Sequence, residues 1–318
     1  MKSFWSTLPK PFFVLAPMEA VTDVVFRHVV TRAGRPDVFF TEFTNATGWV
    51  HAGDKAIGGR LVKTDDENPI VAQLWGGEPG DMERLALYCK ELGYDGIDIN
   101  MGCPVKNAVK SGGSGLIRKP EVAIAAIAAA KTAGLPVSVK TRLGYSFVTE
   151  WRDWLGVLLQ QDIAVLTIHL RTKKEMSKVP AHFELIPEIK KLRDEIAPDT
   201  LLVINGDVRD REHGIEFVEK YGVDGVMIGR GIFANPFAFA PEHTDANSLN
   251  AKKVELLRFH LDEYDHYAGQ THRPYETLKR FYKIYIRDFD GASELRDTLM
   301  HTKNTDEVRK ILDRYFVK

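Results

Sequence analysis

Short apolar runs recur along the first two-thirds of the chain, and stretches of helical periodicity separate them. The runs at 12–16, 38–42, 70–74, 96–100, 137–140, 165–169, 201–205 and 225–228 are rich in Val, Ile, Leu and Phe, and glycine, proline or polar residues bound most of them. That is the pattern of strands buried on both faces. Amphipathic or alanine-rich segments, such as 120–132 and 209–221, read as the helices between them. The connection 44–68 is weaker as a helix, and its glycines and charges fit a long functional loop. Eight strands joined by crossovers predict an α/β fold with a parallel sheet closed as a (β/α)8 TIM barrel. A doubly wound open sheet is the competing architecture. The glycine fingerprint that would favour it after the first strand is replaced by Ala16-Pro17-Met18-Glu19. From about residue 241 no further strand-like run occurs, and 254–267, 276–288, 292–300 and 306–316 read as helices. The expected organisation is a barrel over 1–240 followed by a small all-helical C-terminal domain over 241–318.

Composition narrows the class. Of 318 residues, 44% are hydrophobic and 27% charged, as in a soluble globular protein. The net charge of −1 means that a nucleic-acid partner has to be met by a local basic patch. Cys89 lies in an amphipathic helical pattern and reads as packing, so only Cys103 is left for chemistry and no disulfide framework is expected. A cytoplasmic setting fits. No run has signal-peptide or membrane-span length, and no His, Cys or Asp cluster has metal-ligand spacing. Neither a membrane nor a metal partner is expected, and a monomer is the default.

Candidate chemistry collects at the strand ends. Successive strands terminate in Pro17-Met18, Glu42, Gln73, Asn100 with Cys103, Lys140, His169, Asn205-Gly206-Asp207 and Gly229-Arg230-Gly231. One such group is explained by a satisfied polar pair in the core. The same position filled in strand after strand is not, because each buried polar group costs free energy unless paired. Cys103 stands between Gly102 and Pro104, with the glycine-rich Ser111–Gly115 downstream. A thiol on such a turn suits acid–base or nucleophilic work, against the plain alternative of a small buried hydrophobe. The loops after the last two strands, with Gly206, Gly229, Gly231 and Arg230, read as a phosphate site. Gln73 matches a pyrimidine-like ring edge, and Lys140 suits negative charge on such a ring. The combination favours a flavin mononucleotide (FMN) over a dinucleotide.

Six motifs then fall in order along roughly residues 12 to 240: Ala16-Pro17-Met18, Asn100-Met101-Gly102-Cys103-Pro104, Lys140-Thr141-Arg142-Leu143-Gly144, His169-Leu170-Arg171-Thr172, Asn205-Gly206-Asp207 and Met227-Ile228-Gly229-Arg230-Gly231. Together they resemble the tRNA-dihydrouridine synthases, and the helical tail is similar too. The resemblance implies an FMN-dependent barrel, a helical tRNA-binding domain and NADPH-driven reduction of tRNA uridines. It implies that Cys103 protonates uracil C5 while reduced flavin delivers hydride to C6. By the same resemblance, Pro17, Met18, Gln73, Lys140, His169, Asn205, Asp207, Gly229 and Arg230 contact the flavin, and Asn100 lies near the substrate base. One departure is Leu170, where the family usually carries glycine; a narrowed loop beside His169 is the expected consequence.

In the tail, Lys279, Arg280, Lys283 and Arg287 share one face of the expected 276–288 helix, interleaved with Phe281, Tyr282 and Tyr285. They are the candidate phosphate contacts, against a plain solvated face with its aromatics turned inward. Two other functions stay open at this point. One is a flavin barrel acting on a free pyrimidine, like a dihydroorotate dehydrogenase, for which the helical extension is superfluous. The other is a non-catalytic RNA-binding barrel, against which the intact Cys103, Lys140, His169 and Arg230 argue.

Overall fold

The computed structural model describes residues 3–241 and 246–316. The strands are β1 (Phe12–Leu15), β2 (Phe39–Phe40), β3 (Thr44–Asn45), β4 (Ile70–Trp75), β5 (Gly96–Met101), β6 (Val137–Arg142), β7 (Val165–His169), β8 (Leu201–Asn205) and β9 (Gly225–Ile228). All pair in parallel in the order β1-β9-β8-β7-β6-β5-β4-β2, with β3 also on β4. A parallel bridge between Val14 and Val38 brings β1 back against the second strand and closes the ring. This closure decides for the barrel over the open sheet. The second barrel strand is shorter than the expected 38–42 and comes as two pieces, β2 and β3, each held by β4. The 44–68 connection is more ordered than a loop, holding β3 and the helices Ala46–Ala52 and Asp54–Ile57.

Alternation along each strand sorts the side chains. Phe13, Leu15, Ile70, Ala72, Ile97, Ile99, Leu166 and Ile168 face the surrounding helices in the main core. Phe12, Val14, Val38, Phe40, Val71, Val165, Val203 and Met227 fill the lower lumen. A 3-10 turn at Phe4–Thr7, not foreseen in the sequence, adds Trp5 to that cluster, with ring centroids 5.7 Å from Phe12 and 6.4 Å from Phe40. Two residues further along the same inward rows the lumen turns polar: Gln73, Asp98, Asn100, Ser138, Lys140, Thr167 and Asn205. An apolar floor under a polar ceiling leaves the C-terminal ends of the strands as the mouth.

The C-terminal helices are Ala246–Thr271, Ala292–Met300 and Thr305–Phe316, the first packing on the helix Val24–Ala33. The expected 276–288 helix is instead a 3-10 segment, Tyr275–Phe281, followed by a single α turn, Tyr282–Tyr285. At three residues per turn the expected single face is not kept. Phe281, Tyr282 and Tyr285 are buried. Lys279 pairs with Glu276 at 2.9 Å, Arg280 donates to the Ala20 carbonyl at 3.1 Å, and Arg287 pairs with Asp288 at 2.9 Å. Arg280 and Lys283 are the exposed members of the four. Among the described residues no helix is long and apolar enough to cross a membrane.

Candidate active site

A cavity of about 470 Å³ opens at the mouth. Its walls include Pro17, Met18, Lys140, His169, Asn205, Asp207, Gly229 and Arg230, which is every expected flavin residue except Gln73. A larger cavity of about 610 Å³ lies between the helix Arg211–Tyr221 and the C-terminal helices, with none of the strand-end chemistry in its lining. Volume alone does not make a site, and the mouth has the convergent polar groups.

Asn205 donates to the Met227 carbonyl at 2.9 Å, which turns its Oδ1 to the Lys140 ammonium at 3.2 Å. Among the described residues Lys140 Nζ has no other acceptor, so two of its protons are available to a ligand. Burial, then the Arg142 charge, depresses this amine to about 8. His169 is held well below the usual histidine range, first by burial and then by Arg142 and Lys140. Its Nε2 lies 3.1 Å from Arg171 Nη1, which can only donate. The ring is therefore neutral with its proton on Nδ1. Asp207 accepts from Arg171 and from the Ala181 amide and pairs with Arg230 at 3.3 Å. Burial works against its ionisation, but those donors hold the carboxyl below the usual range.

Gln73 and Asn100 sit deeper than expected. Gln73 Nε2 donates to Asp98 at 2.7 Å, and its Oε1 accepts from Asn100 Nδ2 at 2.9 Å. Asn100 Oδ1 accepts from the amides of Gly102 at 3.1 Å and Cys103 at 2.9 Å. Asn100 thus shapes the Cys103 turn. Asp98, fully buried between Gln73 and Ser138, is pushed up to about 6 by burial.

Cys103 is half-buried on the loop after β5. Burial raises its thiol above the ordinary value, with Arg142 and the Val105 amide opposing. The Cys103 carbonyl accepts from the amide and hydroxyl of Ser114, at 3.1 and 2.9 Å. A Cβ on Gly113, whose φ is +51°, would lie 3.0 Å from that same carbonyl. The glycine-rich stretch therefore backs the cysteine turn. Gly231 lines the mouth with Gly229 and Arg230, and since its Cβ would lie 2.1 Å from the Arg209 carbonyl it also lets two loops touch there. Gly206, at φ +117°, leaves room for the His169 ring, 3.0 Å from where its Cβ would be.

The family model described as dihydrouridine synthase matches residues 14–318. This chain belongs to the dihydrouridine synthase family. It is 61% identical over 316 residues to the probable tRNA-dihydrouridine synthase 2 of Bacillus subtilis (strain 168), covering 99% of this chain and 97% of that protein. It is 56% identical to the probable tRNA-dihydrouridine synthases of Staphylococcus epidermidis (strain RP62A) and Staphylococcus aureus (strain Mu50), covering 99% of this chain and 96% of each. A solved structure, 6-hydroxypseudooxynicotine amine oxidase from Pseudomonas geniculata N1, is 13% identical with a TM-score of 0.55, over 81% of this chain and 53% of that one. At that identity the likeness concerns the fold alone. Membership of an oxidoreductase family sets aside the non-catalytic barrel, and membership of this one sets aside the free-pyrimidine dehydrogenase.

Two features of this dihydrouridine synthase chain escaped the sequence. Leu170 does not narrow the mouth: it is buried on the opposite side of the strand from His169, among the helices. Arg142 and Arg171, read only as motif letters, are buried organisers. Arg142 donates to the Gly102 carbonyl at 2.7 Å and the Met176 carbonyl at 2.9 Å, and burial lowers it to about 10. The signal available was an arginine two residues beyond an inward strand position, on the same row as Lys140 or His169.

Proposed function

We propose that this protein reduces uridines in tRNA to 5,6-dihydrouridine with FMN in the mouth cavity, NADPH as reductant and Cys103 as proton donor to C5. The observation that carries the reading is the state of Cys103. Its raised thiol keeps a proton at neutral pH, as a general acid requires.

The residues present fit FMN. Lys140 has two unspent donors, Arg230 is 62% exposed at the rim, and a neutral His169 lines the same cavity, a donor set for an anionic planar group with a phosphate. The helix beginning at Gly231 is only four residues, so Arg230 and the loop amides carry the phosphate end. Gln73, fully buried and outside the cavity wall, holds Asn100 beneath the mouth. When bound and reduced, FMN supplies the hydride that adds to uracil C6.

Hydride addition leaves enolate charge across C5 and the C4 carbonyl. Cys103 breaks its S–H bond and the proton forms the new C5–H bond. The Arg142 cation, electrostatically coupled to Cys103, then stabilises the thiolate until solvent reprotonates it. The target base has to leave the RNA stack to reach this depth. We assign RNA contacts to the helical unit 241–318, with Lys283 exposed and Lys279, Arg280 and Arg287 reaching phosphates only by giving up their present partners.

The test is single-turnover oxidation of the reduced holoenzyme by unmodified tRNA. Cys103→Ala is expected to keep its FMN, accept electrons from NADPH and bind tRNA, yet to slow about 100-fold or more. A wild-type rate in that variant removes Cys103 from the chemistry.

A further inference from the structure

The loops after β5, β6 and β7 carry an apolar and cationic rim that the cavity chemistry does not use. Phe147 is 65% exposed, Val105 57% and Met176 43%, among the highest values for large apolar side chains in the described residues. Phe147 stands on a built turn. The Glu150 carboxylate accepts the amides of Tyr145 at 2.6 Å, Ser146 at 3.1 Å and Phe147 at 2.9 Å. Three bonds to one carboxylate fix the backbone that presents the ring.

Cations surround it. The Lys174 ammonium lies 5.9 Å from the Phe147 centroid, and Tyr145 has Lys173 at 4.8 Å and Arg118 at 3.8 Å. Lys178, on the same loop as Lys174, is exposed too. The acidic groups of these loops are occupied: Glu150 in the turn, and Glu175 by the Thr172 amide and His182. The rim is joined to the cysteine turn, because Arg142 holds the carbonyls of Gly102 and Met176 together.

We propose that this rim is an RNA contact on the barrel side of the mouth, Phe147 stacking on an unpaired base while Lys173, Lys174 and Lys178 meet phosphates. The inference rests on the proposed tRNA activity and extends it to a surface. Extruding a base leaves its neighbours unstacked, and an exposed ring offers them a plane. A chain of net charge −1 needs such a local patch to hold a polyanion. Lysines interleaved with single apolar side chains suit RNA better than a protein partner, whose interface core is depleted of lysine.

The experiment measures binding of unmodified tRNA by the FMN-loaded full chain across a salt series. Phe147→Ala is expected to weaken binding about tenfold, the scale of one base–aromatic stack, and Phe147→Trp to retain it. Lys174→Ala with Lys178→Ala is expected to lower the slope of log affinity against log salt by about 1–2. Lys191→Ala with Lys220→Ala, on the outer helices Ile186–Ile196 and Arg211–Tyr221, is the charge control and keeps the wild-type slope. FMN content and reduction by NADPH stay unchanged throughout. Wild-type affinity in Phe147→Ala, or an equal loss of slope in the control, overturns the rim while dihydrouridine formation by the parent protein stands. A parent protein that neither binds tRNA nor forms dihydrouridine overturns both.

Discussion

Lys140 condenses the site to one side chain. Its ammonium is held at about 8 by burial and by Arg142, so it is mostly cationic at neutral pH and loses its charge as pH rises through that value. The folded value lies below the ordinary one, so the charged form is the one that the empty site disfavours. A bound anionic ring pulls the other way. Flavin retention is therefore expected to begin falling no earlier than about pH 8, and the fall is absent in Lys140→Gln, whose retention is low throughout; released-flavin fluorescence across pH 6–10 reads this. Arg230 acts at the other end of the same ligand. Arg230→Ala is expected to weaken FMN binding by about 1.5–3 kcal/mol, the loss of one charge-assisted contact, and equilibrium dialysis would detect it. Unchanged affinity would put the phosphate elsewhere.

Between elements, the most consequential contact joins the second barrel strand to the tail. Glu42 is fully buried just beyond β2, accepts from the Ala20 amide in the loop after β1, and pairs with Arg273 at 2.5 Å, 231 residues away in sequence. Burial raises this carboxyl and Arg273 opposes the rise. Arg273 Nε is itself buried without a hydrogen bond among the described residues, with the Asp23 carboxylate 3.9 Å away. Arg273→Ala leaves the Glu42 charge buried and unpaired, and is expected to cost about 3–5 kcal/mol by urea unfolding. Glu42→Gln in the same background should recover part of it. Additive effects of the two substitutions would mean that the pair does not act as a unit. Because Ala20 belongs to the loop carrying Pro17 and Met18, the same variant should also shorten flavin retention.

At the scale of the whole molecule one hydrophobic cluster spans barrel and tail, running from Phe26 and Val29 on the first barrel helix through Leu257, Leu261 and Phe281 to Leu299 and Leu312. His28 meets Glu263 at 2.6 Å across the same seam. A chain cut after Ala240 would expose that face, and is expected to be recovered largely insoluble, whereas a soluble, FMN-binding fragment would show the barrel to be autonomous. The sequence by itself determined the strands, their parallel order and the inward rows, because a residue buried on both faces of a short strand is visible as an unbroken apolar run. It also pointed to Lys140, His169, Asn205 and Asp207 as groups at the mouth, since a polar residue at the end of such a run faces either the lumen or its rim. Tertiary structure alone decided the rest. It closed the ring through Val14 and Val38, tied Asn100 to Gln73 and Gln73 in turn to Asp98, and set Gly113 against the carbonyl of Cys103. It also broke the expected 276–288 helix and tied Arg280 to the Ala20 carbonyl on the far side of the sequence. Those outcomes depend on what lies opposite a residue across the fold, and periodicity along a chain carries no information about a partner on another element.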